Sequence, residues 1–195
     1  MNDVAFILLG AGAATRMGRP KQLLEFRGRP LIRHCAEEAL RSVCRPLVVV
    51  LGAHATEVER ALSGLPVRVV LNPRWEEGMG TSIQAGLTAV GSDSVSAVIL
   101  GLADQPLVTA RHIDALVEVH RQSEMGLVAS SYADTVGVPA LFGRSSFAEL
   151  AQLEPAQGCK GILMGHRDNL VSLPCPEALC DVDTPTDYER VAALG

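Results

Sequence analysis

A chain of 195 residues is long enough for one domain whose core needs neither disulfides nor a structural metal. Its formal charge of −5 excludes the broad positive footprint of a nucleic-acid binder, yet leaves room for one nucleotide held by a few local donors. With 48% hydrophobic residues but only 4% aromatic ones, the core must be mostly Val, Leu, Ile and Ala, which suits strands covered by helices on both faces.

The first element is a buried strand, Val4 to Leu9, ending at Gly10. A glycine-bearing loop runs on to about Leu24. Pro30 to about Ser42 reads as a helix, with Leu31, Ile32, Cys35, Ala39 and Leu40 at helical spacing. Pro46 to Leu51 is the second strand, stopped by Gly52. Thr56 to Ser63 is a short helix with Thr56 as its cap, and Val67 to Leu71 is the third strand. Asn72-Pro73 opens a loop to Gly80, and Thr81 to Val90 is helical. Ala97 to Leu102 is a fourth, strongly hydrophobic strand, ended by Asp104-Gln105-Pro106. Thr109 to Gln122 is a helix. Leu127 to Ser131 and Ala140-Leu141-Phe142 are shorter strands, Ser145 to Leu153 and Cys159 to Met164 are helical, and Leu170 to Leu173 is a late strand. Asp183-Thr184-Pro185 starts the C-terminal helix, with Pro185 in its first turn.

Strands alternating with helices imply βαβ units, so the expected fold is α/β, Rossmann-like, with a mostly parallel sheet flanked by helices in a single domain over residues 1–195. Such sheets bind ligands at the carboxyl ends of their strands. Gly10 to Gly18, Asn72 to Ser82 and Asp104-Gln105-Pro106 all follow strand ends and should gather on one edge.

The loop after the first strand carries the chemistry. Small residues at Gly10, Ala11 and Gly12 let backbone N–H groups wrap a phosphate, and Arg16 and Lys21 add two positive charges. A dinucleotide fingerprint is excluded. Thr15 holds the third glycine position, and no acidic residue ends the second strand. A Walker loop is excluded too, because no Gly-Lys-Ser/Thr opens a helix. Across the sheet edge, Asp104 is a hard oxygen ligand suited to magnesium. Asp181 and Asp183 alternate on one face of an extended segment. One of them, preferably Asp183, would complete the metal site, and the other would cap the last helix. Gly80, Thr81 and Ser82 by themselves read as an ordinary helix cap. The five histidines match no ligand spacing. The five cysteines, Cys35, Cys44, Cys159, Cys175 and Cys180, form no C-x-x-C pair, so reduced thiols in a cytoplasmic protein are expected rather than zinc. No apolar run has transmembrane length, and the first lacks the basic flank of a signal peptide.

The stretch Leu9-Gly10-Ala11-Gly12-Ala13-Ala14-Thr15-Arg16-Met17-Gly18-Arg19-Pro20-Lys21-Gln22-Leu23-Leu24 closely resembles the signature of the MobA-like nucleotidyltransferases, L-A-A-G-x-S-x-R-M-G-x-P-K-x-L-L. It is most similar to the molybdenum cofactor cytidylyltransferase branch, whose alanine Ala11 keeps where the guanylyltransferase branch has glycine. Gly10 and Ala14 depart from the pattern. Asn72 to Ser82, Leu100 to Pro106 and Leu179 to Asp187 match in family order. The resemblance implies a nucleotide-diphospho-sugar transferase-like fold and transfer of CMP from CTP to a molybdopterin-type cofactor with release of pyrophosphate. The product would pass to a molybdenum hydroxylase or its maturation chaperone. In that reading Arg16, Lys21 and Asp104 are catalytic. Gly10, Ala11, Gly12, Arg16, Lys21, Gly80, Thr81 and Ser82 bind the nucleotide, and Asp104 and Asp183 hold Mg²⁺. No nucleic acid and no membrane is involved. Gly137 to Phe142 resembles the part facing the second substrate. Ala156 stands where family members carry an acidic residue, which leaves two alternatives open: a sugar-phosphate acceptor, or a non-catalytic protein that binds and delivers the cofactor.

Overall fold

The computed structural model describes residues 3–14, 17–91, 95–123 and 125–194. Its centre is a seven-stranded sheet. In chain order the main elements are β1 (Val4–Gly10), the two-residue strands β2 (Glu25–Phe26) and β3 (Arg29–Pro30), α1 (Leu31–Arg41), β4 (Leu47–Leu51), α2 (Ala55–Ala61), β5 (Arg68–Leu71), α3 (Met79–Val90), β6 (Ala97–Leu102) and α4 (Ala110–Ser123). They continue with β7 (Leu127–Tyr132), β8 (Thr135–Gly143), α5 (Phe147–Ala151), α6 (Lys160–Gly165), β9 (Leu170–Pro174) and α7 (Pro185–Ala192).

The sheet order is β5-β4-β1-β6-β8-β7-β9. β1 pairs parallel with β4 and β6, β4 with β5, and β7 with β9; β8 runs antiparallel to both its neighbours. The mostly parallel sheet expected from sequence is therefore present. Strand alternation splits the core in two. Ala5, Ile7 and Leu9 pack with Ile83, Leu87, Leu150 and Leu163 on one face. Val4, Phe6 and Leu8 pack with Ile32, Ala36, Ile113 and Leu116 on the other. A one-residue slip of β1 would exchange these sets, so the register is strongly specified.

From β1 the chain moves outward to β4 and β5, then returns past β1 to β6. That reversal makes the carboxyl ends of β1 and β6 a topological switch point, where open α/β sheets bind ligands. A third apolar cluster lies beside it. Leu24, Phe26 and Leu31 pack on Val182 and Val191, and the Tyr188 hydroxyl donates to the Glu25 carbonyl at 2.8 Å. These contacts tie the C-terminal segment to the loop after β1. No helix among the described residues is long and apolar enough to cross a membrane.

Several local expectations change. β8 is nine residues rather than the Ala140–Phe142 core, because Gly137 and Pro139 mask a strand held by pairing on both sides. α2 begins at Ala55 with no side-chain cap, so Thr56 does not cap it. Neither Asp181 nor Asp183 caps α7. Thr184 does, accepting from the Asp187 N–H while the Asp187 carboxylate accepts from the Thr184 N–H, a reciprocal capping box.

Candidate active site

A cavity of about 330 Å³ opens at the switch point, with Gly10, Ala11, Gly12 and Lys21 on one side and Leu102, Ala103 and Asp104 on the other. Trp75, Glu76, Gly78, Met79 and Ser82 form a further part of its wall, and Leu9 and Gln22 also line it. The elements deliver these groups for simple reasons. β1 and β6 are adjacent and parallel, so the residues following Gly10 and Leu102 emerge side by side. A short 3₁₀ turn, Lys21–Leu23, brings the Lys21 side chain back toward β6.

Lys21 lies between two carboxylates from distant parts of the chain. Its Nζ donates to Asp104 Oδ2 and, at 2.9 Å, to Asp183 Oδ1. Asp183 comes within reach because the Val182 N–H donates to the Asp104 carbonyl at 3.0 Å. Burial pulls the Lys21 pKa down, but Asp104 and then Asp183 outweigh it, so the net shift is upward and the side chain stays an ammonium. The second oxygen of Asp104, Oδ1, is buried without a hydrogen-bond partner among the described residues. A hard, unpaired carboxylate oxygen beside a second carboxylate fits a divalent cation. Among the described residues no three His, Cys, Asp or Glu side chains cluster as metal ligands. A two-carboxylate site suits a divalent cation that takes its remaining ligands from water and substrate phosphates.

Asp181 lies nearby. Burial raises its pKa, and the charges of Asp104 and Asp183 raise it further. The turn carrying Asp104 is held from behind by α1: His34 Nε2 contacts the Pro106 carbonyl at 2.9 Å, the Cys35 thiol reaches the Ala103 carbonyl at 3.6 Å, and Glu38 accepts from the Ala110 N–H at 3.0 Å.

The structure brings Gly10, Ala11, Gly12, Lys21, Ser82 and Asp104 to one cavity, with Asp183 joined to them through Lys21. Arg16 lies outside the described residues. Gly80 and Thr81 do not reach the cavity wall. Gly80 is packed on the Glu154 and Gln157 carbonyls, and its N–H donates to the Pro155 carbonyl at 2.9 Å. Thr81 and Ser82 both accept from Asn72 Nδ2 at 2.9 Å, so their hydroxyls anchor the loop that carries Trp75. Trp75 reaches the cavity because position 52 is glycine: a Cβ there would stand 2.5 Å from the Trp75 Cβ. Gln22, buried in the same 3₁₀ turn as Lys21, escaped the sequence reading, and its only signal was its neighbour.

A doubly wound sheet with a glycine loop, a lysine and two carboxylates at its switch point defines a nucleotide-binding α/β protein. The chain belongs to the MobA-like NTP transferase domain family, which it matches over residues 6–170. It is 38% identical over 133 residues to nicotine blue oxidoreductase of Paenarthrobacter nicotinovorans, covering 68% of this chain and 64% of that protein. It spans only about a third of some longer relatives, such as the bifunctional protein GlmU of Mycolicibacterium vanbaalenii, 28% identical over 35% of its length. Among solved structures, Rv0371c of Mycobacterium tuberculosis superposes with a TM-score of 0.88 at 29% identity, covering 98% of both chains.

Proposed function

We propose that the chain, acting as one domain over residues 1–195, transfers CMP from CTP to a phosphate of a molybdopterin-type cofactor and releases pyrophosphate. The observation that carries this reading is the Lys21–Asp104–Asp183 constellation beside the glycine loop at the switch point. Asp104 and Asp183 would hold a divalent cation, Mg²⁺ in this proposal, which when bound neutralises phosphate oxygens and orients them for in-line displacement. A structure of Rv0371c in complex with manganese, 27% identical with a TM-score of 0.83, supports a metal of this type. Lys21 supplies a fixed positive charge to the triphosphate and the leaving pyrophosphate, joined in the family's pattern by Arg16. The reaction needs no protein nucleophile; it needs alignment and charge neutralisation. Gly10, Ala11 and Gly12 place the nucleoside together with Ser82, while Gly80 and Thr81 act from behind by shaping that wall.

A second acceptor class, sugar phosphates, follows from Ala156, which leaves the acceptor side without the acidic residue of the cofactor-binding pattern. The name of the 38%-identical relative raises oxidation–reduction as a third reading. One experiment separates them: pyrophosphate release with CTP, GTP, ATP and UTP, each with molybdopterin cofactor or a panel of sugar phosphates, beside NADH and NADPH oxidation. Release with CTP and molybdopterin cofactor is expected. Release only with a sugar phosphate would replace the acceptor. Dinucleotide oxidation without release would overturn nucleotidyl transfer. Tight cofactor binding without turnover would make the chain a carrier.

A further inference from the structure

We propose that Gln22 is a positioning residue that sets the polarity of the loop after β1, so that the loop presents N–H groups rather than carbonyls to an anion. The proposal rests on the nucleotidyl-transfer reading of the site.

Gln22 is 1% exposed, and its carboxamide reaches back to the loop it follows. Nε2 donates to the Gly10 carbonyl at 2.9 Å and to the Gly12 carbonyl at 2.7 Å, which uses both of its protons. The carbonyl between them, that of Ala11, accepts from the Ala53 N–H at 2.9 Å. Three successive carbonyls are thus committed to protein donors. In a trans peptide the C=O of one residue and the N–H of the next point in opposite directions. Fixing the carbonyls of Gly10 and Gly12 on Gln22 therefore turns the N–H groups of Ala11 and Ala13 away from it. Among the described residues the loop remains open at Gly12, where a Cβ would meet no atom within 4 Å. Without the Gln22 bonds each peptide plane could rotate, and a carbonyl facing a phosphate would repel it.

Packing alone does not explain a glutamine here. Its Oε1 is buried with no partner among the described residues, a cost that a methionine of similar shape would avoid. The same 3₁₀ turn directs Lys21 to the carboxylates and Gln22 to the loop, so one short element sets both the charge and the backbone donors of the site.

The test uses the full-length chain and inorganic pyrophosphate with Mn²⁺ as the probe, measured by calorimetry, together with amide hydrogen exchange of the ligand-free protein. Gln22→Met should weaken pyrophosphate binding by about tenfold or more through misplacement of the donors. It should also speed exchange at Ala53, whose N–H is held by the Ala11 carbonyl, while a cooperative melt is retained. In Gln22→Glu the carboxylate cannot donate, but its protonated form can donate one bond. Burial raises such a carboxyl above its ordinary range, so the affinity deficit relative to wild type should narrow as the pH is lowered from about 9 to about 5. A purely structural glutamine would lower the melting temperature of these variants without moving affinity or its pH profile. Wild-type affinity in Gln22→Met, or a pH-independent deficit in Gln22→Glu, would overturn the proposal while leaving nucleotidyl transfer standing. Failure of the wild type to bind pyrophosphate or CTP would overturn both.

Discussion

Lys21 and the two aspartates it contacts carry most of the proposed chemistry, and their roles separate by substitution. Asp104 is partly buried, with one oxygen on Lys21 and the other unpaired among the described residues. Asp104→Ala should cut pyrophosphate release by at least ~100-fold, the scale of losing one main electrostatic stabiliser; near-normal metal-dependent turnover would remove Asp104 from the reaction. Lys21 should behave less intuitively. In the free protein its ammonium stands between the carboxylates that a cation would need. Lys21→Met should therefore bind Mn²⁺ more tightly than wild type in the absence of nucleotide, on the order of tenfold, since 1.4 kcal/mol of relieved competition is a factor of ten. The same variant should bind CTP more weakly. Electron paramagnetic resonance of Mn²⁺ measures the first and calorimetry the second, and a Lys21→Met chain with unchanged or weaker Mn²⁺ binding would contradict this arrangement. Ala11 is a third residue-scale case. It is 6% exposed at the cavity wall, and in the proposed reading its methyl narrows the space for the base. Ala11→Gly should relax selectivity toward GTP by an amount within about 1–3 kcal/mol, the usual worth of one methyl in a pocket. A competition assay with CTP and GTP on both chains reads it, and unchanged selectivity would reject this account of base choice.

At the scale of elements, α1 and α7 act as supports. α1 fixes the turn after β6 through His34, Cys35 and Glu38, each on a different backbone group. α7 is tied down through Val191 and Tyr188, and its capping box lies immediately after Asp183. Thr184→Ala should cost about 1 kcal/mol through loss of the cap. A thermal melt should show this as a fall of roughly 2–4 °C for a chain of this size. Because the cap adjoins Asp183, the variant should also weaken Mn²⁺ binding in the presence of nucleotide. A stability loss with full metal affinity would show that α7 positions nothing in the site.

The whole molecule has a predictable response to acid. Burial lowers the pKa of His34, an effect its bond to the Pro106 carbonyl only partly offsets, and burial lowers that of His112 despite the charge of Glu177. Both imidazoles therefore protonate more readily in the unfolded chain. Their contribution is fully present above the unfolded value of about 6.5 and is lost as the pH falls through the lower folded values. The melting temperature should drop between about pH 7.5 and about pH 5, and the double variant His34→Gln, His112→Gln should show a shallower slope over that window. An unchanged slope would mean that other groups govern acid sensitivity. His34 contacts the carbonyl of Pro106, two residues beyond Asp104, so this instability should begin near the candidate site.

What the sequence determined by itself was local. Alternating apolar strands, the glycine loop with Lys21, and isolated aspartates beyond strand ends all depend on near neighbours, so the mostly parallel sheet and the residues Gly10, Ala11, Gly12, Lys21 and Asp104 were legible. Tertiary structure decided everything that rests on distant pairing. The length of β8 comes from its two partner strands, which override Gly137 and Pro139. The choice between Asp181 and Asp183 as the partner of Lys21 depends on the Val182–Asp104 backbone bond and the small cluster around Val191. The roles of Thr81 and Ser82 were set by Asn72, nine and ten residues away, and that of Trp75 by the absence of a Cβ at Gly52. Gln22 could not be read from the chain because its meaning lies in two carbonyls, and a backbone carbonyl has no letter in a sequence.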